Sequence, residues 1–116
     1  MKVVYASRKG HVEGIVKRLG ISDAVKIVDG SEKVDGDYVL FTYTDGNGIV
    51  PPVVEKFLEA NKGIKAVVGS GNKEKHPTTF NFAADIIAEK YNVPIIAKVD
   101  LDGTDEDMET IKKGLA

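Results

Sequence analysis

The chain has 116 residues, of which 42% are hydrophobic and 29% charged, and its formal net charge of −2 argues against the basic face of a nucleic-acid-binding domain. It contains no cysteine, which excludes disulfides, thiol chemistry and thiolate metal sites. Its length suits one hydrophobic core, so we expect a single domain over residues 1–116, and the lack of a signal peptide or membrane-spanning run favours a cytoplasmic protein.

In chain order, short apolar runs alternate with segments of helical spacing. Strands are predicted over residues 2–6, 24–28, 38–43, 65–70 and 94–101. The run at 38–43 is almost continuously apolar, which is typical of a central parallel strand covered on both faces. Residues 24–28 are typical of an edge strand, and the turn-forming residues 29–37 leave little room for a helix before the central strand.

Four helices are predicted in the remaining connections. They begin near His11, Pro51, Thr79 and Thr104, and the first two end at Gly20 and Gly63. Thr104 and Asp107 have the spacing of a capping box. The order β-α-β-β-α-β-α-β-α predicts an α/β fold, namely a flavodoxin-like, doubly wound, five-stranded parallel sheet in the order 2-1-3-4-5 with helices on both faces.

Three polar loops follow the strands of this predicted sheet. They are loop 1 (residues 7–11), loop 2 (residues 44–50) and loop 3 (residues 70–79). In doubly wound sheets a ligand lies beyond the carboxyl ends of the strands, where the winding reverses. We therefore expect the three loops to form one ligand-binding crevice.

Loop 1 contains Ser7, Arg8, Lys9 and Gly10 and leads into the first helix. Unpaired N–H groups and the helix dipole favour an anion there, and the two cations strengthen that preference. A phosphate monoester is the natural ligand. In the alternative interpretation, Ser7 only helps to start the helix and the cations are solvated.

Loop 2 and the strand end before it supply a second group of candidate residues. These are Tyr43, Thr44, Asp45, Gly46, Asn47 and Gly48. A glycine peptide flips at low cost because positive φ is open to glycine. Because a flavin changes its hydrogen-bonding demand on reduction, a flippable peptide at this place could serve redox control. The alternative is an ordinary long turn.

Loop 3 offers backbone and amide groups at Ser70, Gly71 and Asn72 for the polar edge of a ring system. His76 could lie beside a ring plane or could be solvated, and the same alternatives hold for His11. Neither histidine has a second ligand at suitable spacing, so no metal site is expected. No dinucleotide or nucleoside-triphosphate motif is found.

With these residues in place, the chain is similar to the NrdI family, the flavodoxin-like stimulatory proteins of class Ib ribonucleotide reductase. The resemblance covers nearly the whole chain. It is carried by "VLFTYTDGNGIVPPVVEKFL" (39–58), "GSGNK" (69–73), "FAADIIAEKYNVPII" (82–96) and "DLDGTDEDMETIKKG" (100–114).

The resemblance implies one non-covalent FMN. Its phosphate would lie on Ser7, Gly10, His11 and Val12, its ring would lie between loops 2 and 3, and residues 46–48 would make the redox-linked flip. Family members use reduced flavin and O2 to supply superoxide to the dimanganese site of the radical-bearing small subunit. The implied partners are that subunit, a flavin-reducing protein and O2.

The implied role is that of a redox accessory protein rather than a stand-alone metabolic enzyme, with no catalytic side chain because the flavin carries the chemistry. Two alternatives remain. One is a general flavodoxin-type electron carrier, and the other is a flavin-free docking module on the same fold.

Overall fold

The computed structural model of the protein describes residues 1–46 and 48–116. Within them lie β1 (Lys2–Tyr5), α1 (His11–Arg18), β2 (Val25–Lys26), β3 (Tyr38–Tyr43), α2 (Pro52–Ala60), β4 (Ile64–Gly71), α3 (Phe82–Tyr91), β5 (Ile95–Asp100) and α4 (Asp105–Leu115). The strands form one parallel sheet in the order β2-β1-β3-β4-β5. The predicted flavodoxin-like topology is confirmed.

Strand β3 is the centre of the fold because its side chains supply two separate cores. Tyr38 and Leu40 pack with residues of α2 and α3 on one face of the sheet. Val39 and Phe41 pack with residues of α1 and α4 on the other face. All four are fully buried, which is the reason for the continuous apolar run in the sequence.

The edge strand β2 is shorter than the predicted 24–28. Val25 and Lys26 are in register with Val4 and Tyr5 of β1, and the Ile27 N–H adds one further hydrogen bond to the Tyr5 carbonyl at 2.8 Å. Glu32 closes the turn that follows. Its carboxylate accepts the N–H groups of residues 28–30 at 2.8–3.2 Å. The connection to β3 is therefore held by a side chain and contains no helix, as predicted.

Helix α2 ends at Ala60 and not at the predicted Gly63, because Asn61 takes an extended conformation. The Asn61 side chain is buried and makes three hydrogen bonds. Its Oδ1 accepts the Val34 N–H at 2.8 Å, and its Nδ2 donates to the carbonyls of Glu32 and Phe57 at 2.9 and 3.0 Å. Asn61 thus fastens the β2–β3 connection to the end of α2.

Helix α3 begins at Phe82 and not at the predicted Thr79. The preceding residue, Asn81, has φ 57°, a left-handed conformation that ends the helix on its N-terminal side. Asn81 is held there by burial and by its Nδ2, which donates to the Val99 carbonyl at 3.3 Å. Residues 77–81 are consequently part of the loop region that precedes α3.

Helix α4 begins with the predicted capping box, which is confirmed. The Asp107 N–H donates to Thr104 Oγ1 at 3.1 Å, and the Thr104 N–H donates to Asp107 Oδ2 at 2.9 Å. Arg18 of α1 also donates to the carbonyls of Asp102 and Gly103, at 2.8 and 3.1 Å. These contacts tie the start of α4 to α1 on the same face of the sheet.

We expect Asn61→Ala to lower the free energy of unfolding by roughly 2–4 kcal/mol, because its buried hydrogen-bond partners lose their counterpart. Chemical denaturation would measure the change. The neighbouring Lys62 is exposed, and Lys62→Ala is the matched control, with an expected change within about 0.5 kcal/mol. Equal stability of the two variants would contradict the role assigned to Asn61.

Candidate functional site

Loops 1, 2 and 3 meet beyond the carboxyl ends of β1, β3 and β4 and line a cavity of about 250 Å³. The predicted residues that line it are Ser7, Arg8, Lys9, His11, Val12, Tyr43, Thr44, Asp45, Gly46, Ser70, Gly71, Asn72 and His76. Two further lining residues, Lys75 and Leu101, were not predicted. Of the remaining predicted residues, Asn47 lies outside the described residues. Gly10 and Gly48 lie outside the cavity lining.

Gly10 and Gly48 shape the loops. Gly10 has φ 90° at the N-cap of α1, and its carbonyl accepts the Gly14 N–H at 2.9 Å. Gly48 has φ 99° and packs on the start of α3, where an added Cβ would lie 2.8 Å from Phe82 Cδ2. Both positions need glycine for conformation, and Gly48 also needs it for space.

Loop 1 presents its side chains around the N-terminus of α1. Ser7 Oγ accepts the Glu13 N–H at 3.3 Å, so the hydroxyl does help to start the helix while its own hydrogen remains free to donate. His11 Nδ1 lies 2.5 Å from Asp102 Oδ1, which ties its ring to the β5–α4 turn. Lys9 has no carboxylate within 4.0 Å in the part of the chain that the structure describes.

Arg8 reaches from loop 1 across to loop 2. Its Nη1 pairs with Asp45 Oδ1, and its Cζ lies 5.1 Å from the centroid of the Tyr43 ring. Asp45 Oδ1 also accepts the Gly46 N–H at 2.9 Å. Burial raises the pKa of the Tyr43 phenol, and the Arg8 guanidinium only partly offsets this effect. Tyr43 is therefore a neutral ring with a guanidinium over its face.

Loop 2 is a closed turn anchored on α3. The backbone of Asp45 pairs with that of Ile49 in both directions, at 2.9 and 3.0 Å. Thr44 Oγ1 accepts the Ala83 N–H at 3.1 Å and so caps the first turn of α3. The Thr44 hydroxyl thus accepts one hydrogen bond within the protein, and its own hydrogen can still donate.

Loop 3 is held by its own polar side chains. Ser70 Oγ donates to the Leu101 carbonyl at 2.6 Å, which joins the ends of β4 and β5. Asn72 Oδ1 accepts the Lys75 N–H at 3.0 Å, and the Asn72 carbonyl accepts the His76 N–H at 2.8 Å. Among the residues that the structure describes, Asn72 Nδ2 has no hydrogen-bond partner and is available at this wall of the cavity.

The two lining residues that were not predicted carried only weak signals. Leu101 directly follows β5 and has φ 54°. Ligands bind beyond the carboxyl ends of parallel strands, and applying this rule to β5 as well as to β4 would have included Leu101. Lys75 stands within loop 3, but nothing in the sequence distinguishes it from a solvated lysine.

The charge of the cavity lining is positive on balance. The Arg8 guanidinium is neutralised locally by Asp45. Lys9 and Lys75 also line the cavity, and neither forms an ion pair with a residue that the structure describes. Such a surface attracts an anion, and the N-terminus of α1 adds to that attraction.

Residues 1–46 and 48–116 contain no group of three or more histidine, aspartate or glutamate side chains that could hold a metal ion. Their helices are also too short or too polar to cross a membrane.

Residues 3–113 of the chain match the protein family described as NrdI Flavodoxin like. The chain belongs to this family. It is 37% identical to Protein NrdI of Ruegeria sp. (strain TM1040) over 123 residues, covering 98% of this chain and 86% of that protein. It is 43% identical to Protein NrdI of Bartonella quintana (strain Toulouse) over 122 residues, covering 97% and 91%. The resemblance seen in the sequence is confirmed.

The fold also matches that of a solved short-chain flavodoxin associated with a bacterial microcompartment. The TM-score is 0.74 at 21% identity, with 97% of this chain and 90% of that chain covered. The fold and the NrdI family together imply a flavin cofactor. The donor set of the cavity fits such a group, because it combines an aromatic ring at Tyr43 with an anion-attracting helix N-terminus.

We expect Gly48→Ala to lower the free energy of unfolding by about 1–3 kcal/mol, because alanine is strained at φ 99° and its Cβ would collide with Phe82. Gly46→Ala is the matched comparison. Gly46 has φ 47° but no atom within 4 Å of an added Cβ, so we expect a loss of about 1 kcal/mol or less. Denaturation of both variants would measure the difference, and a larger loss at Gly46 would contradict the packing assigned to Gly48.

Proposed function

We propose that the chain is an FMN-binding redox protein that activates class Ib ribonucleotide reductase. The observation that carries the proposal is the convergence of three loops of a NrdI-family chain on one cavity. That cavity offers an aromatic ring and an anion-attracting helix N-terminus. These are the two features that a planar ring system with a phosphate group requires.

Loop 1 would hold the phosphate. The N–H groups in the first turn of α1 have no acceptor within the helix, and the helix dipole favours a negative charge beside them. Lys9 adds a cation that forms no ion pair with any described residue, and Gly10 lets the backbone approach a phosphate oxygen. Ser7 can still donate its hydroxyl hydrogen, while His11 and Val12 supply first-turn N–H groups.

The ring would lie beside Tyr43, between residues 44–48 of loop 2 and residues 70–72 of loop 3, with His76 at the rim of the cavity. The Thr44 hydroxyl accepts one internal hydrogen bond, and the Ser70 hydroxyl donates one. Because Thr44 can still donate and Ser70 can still accept, both would join backbone groups and Asn72 Nδ2 in recognising the polar ring edge.

Loop 2 would adapt to the redox state of the cofactor. Gly46 is exposed, and apart from its chain neighbours no described atom lies within 4 Å of an added Cβ, so the protein packs little against this residue. We propose the flip for residues 46–48, with Gly46 as the residue that moves. Gly48 acts as the fixed end of the turn because it is packed on Phe82.

When bound in its reduced form, FMN would supply the electrons that convert dioxygen to superoxide for the dimanganese site of the small subunit. The side chains of the cavity then need only to bind and orient the ring and to leave its edge accessible. The proposed partners are the small subunit and a flavin-reducing protein, and the proposed compartment is the cytoplasm.

Titration of the protein with FMN and with riboflavin tests the cofactor, followed by visible absorbance and fluorescence. We expect tight FMN binding and weaker riboflavin binding. Oxygen consumption by the reduced holoprotein, and its activation of a dimanganese small subunit, then test the reaction. FMN binding without activation would favour a general electron carrier, whereas binding of neither flavin would favour a docking module.

We expect Lys9→Met to weaken FMN binding by roughly threefold to tenfold and to leave riboflavin binding unchanged, because only FMN carries the phosphate that Lys9 would contact. The same titrations measure both affinities. Lys62→Met is the control, since Lys62 is an exposed lysine that is not among the residues lining the cavity. An equal loss for both flavins would show that Lys9 does not act on the phosphate.

A further inference from the structure

We propose that Arg8 makes the ring site conditional on a bound phosphate group. The guanidinium lies over Tyr43 and pairs with Asp45, so that it covers a surface on which a ring would stack. A phosphate on loop 1 draws the guanidinium back and uncovers Tyr43. The inference rests on the proposed function and deepens it, because it names the residue that sets the preference for a phosphorylated flavin.

The first observation is that Arg8 occupies the face of Tyr43. Its Cζ lies 5.1 Å from the ring centroid, and both residues line the cavity. A planar ligand stacked on the face of Tyr43 that Arg8 covers needs the same space as the guanidinium. Stacking on that face therefore requires that Arg8 move.

The second observation is the size of the cavity. Its volume of about 250 Å³ is below the range of roughly 300–1,000 Å³ that is usual for sites holding small molecules and cofactors. Arg8 is among the residues that line it. Withdrawal of this one side chain enlarges the cavity at the wall where the aromatic ring lies.

The third observation is that Arg8 is held by contacts that are easily exchanged. Its side chain is 51% exposed, and its two contacts are an exposed ion pair and a cation–π contact, both individually weak. A phosphate group can accept two parallel hydrogen bonds from a guanidinium, which is among the stronger pairings in proteins. Arg8 stands two residues before Gly10, the N-cap of α1, and so belongs to the same loop as the proposed phosphate position.

Asp45 keeps a hydrogen bond when Arg8 moves away. Its Oδ1 also accepts the Gly46 N–H at 2.9 Å, so departure of Arg8 leaves the carboxylate hydrogen-bonded. Loop 2 keeps its shape as well, because the backbone pairing of Asp45 with Ile49 does not involve Arg8. The exchange therefore moves one side chain and leaves both loops in place.

Riboflavin titrations with and without inorganic phosphate, at constant ionic strength maintained with chloride, test the inference. Riboflavin reports on the ring site alone because it has no phosphate. For the wild-type protein we expect phosphate to tighten riboflavin binding by roughly threefold to tenfold. Arg8→Ala should bind riboflavin tighter by a similar factor in the absence of phosphate and should no longer respond to phosphate.

Asp45→Asn provides a second variant, because it weakens the hold on Arg8 while the arginine itself remains. Asp45→Asn should bind riboflavin more tightly than the wild type but less tightly than Arg8→Ala, and its binding should still respond to phosphate. Lys62→Ala is the control and should behave as the wild type. If Arg8→Ala fails to fold, as judged by circular dichroism, Asp45→Asn decides the matter.

Unchanged or weaker riboflavin binding by Arg8→Ala would overturn the inference. The inference would also be overturned if phosphate did not change the affinity of the wild-type protein for riboflavin. In either case, tight FMN binding by the wild-type protein leaves the proposed function standing. Failure of the wild-type protein to bind FMN at all would overturn the proposed function and this inference together.

Discussion

Strand β3 packs against helices on both faces of the sheet, and the loops around the cavity hold their positions because of that packing. Tyr38 and Leu40 are buried on the side of α2 and α3, while Val39 and Phe41 are buried on the side of α1 and α4. A slip of one residue would move every side chain to the opposite core and break the 2.8 Å hydrogen bond from Tyr38 Oη to the Asn61 carbonyl. The strand ends of β1, β3 and β4 are fixed as a consequence, and with them the starting points of all three loops.

The loops are then joined to one another by hydrogen bonds that cross between elements. Thr44 of loop 2 caps α3, and Ser70 at the end of β4 binds the carbonyl that follows β5. His11 of loop 1 contacts Asp102, also beyond β5. Each bond restrains two segments at once, so the protein itself holds the backbone of the three loops in position. Restraint of this kind reduces the conformational entropy that a ligand must remove on binding.

Most of the fold could be predicted because its signals are local. The apolar run at 38–43 and the capping box of α4 each lie within a few residues, and the alternation of strands and helices then leads to the sheet order. What could not be predicted depends on contacts distant in sequence. Asn81 takes its left-handed conformation beside Gly69, and a Cβ added at Gly69 would lie 2.5 Å from Asn81 Oδ1. This conformation of Asn81 makes α3 shorter than predicted. The bridge from Arg8 to Asp45 spans 37 residues and is likewise invisible to periodicity.

The residues that build the cavity differ from those that would select its ligand. Thr44 and Ser70 were predicted as candidate contacts, yet their hydroxyl oxygens hold the loops together. Lys9 and Arg8 line the same cavity and carry the charge that a ligand would meet. Substitutions elsewhere in the loops are tolerated as long as the residues that fix those loops remain. Ligand affinity then depends on residues that need not touch the ligand, whereas ligand specificity depends on the few side chains that lie within the cavity.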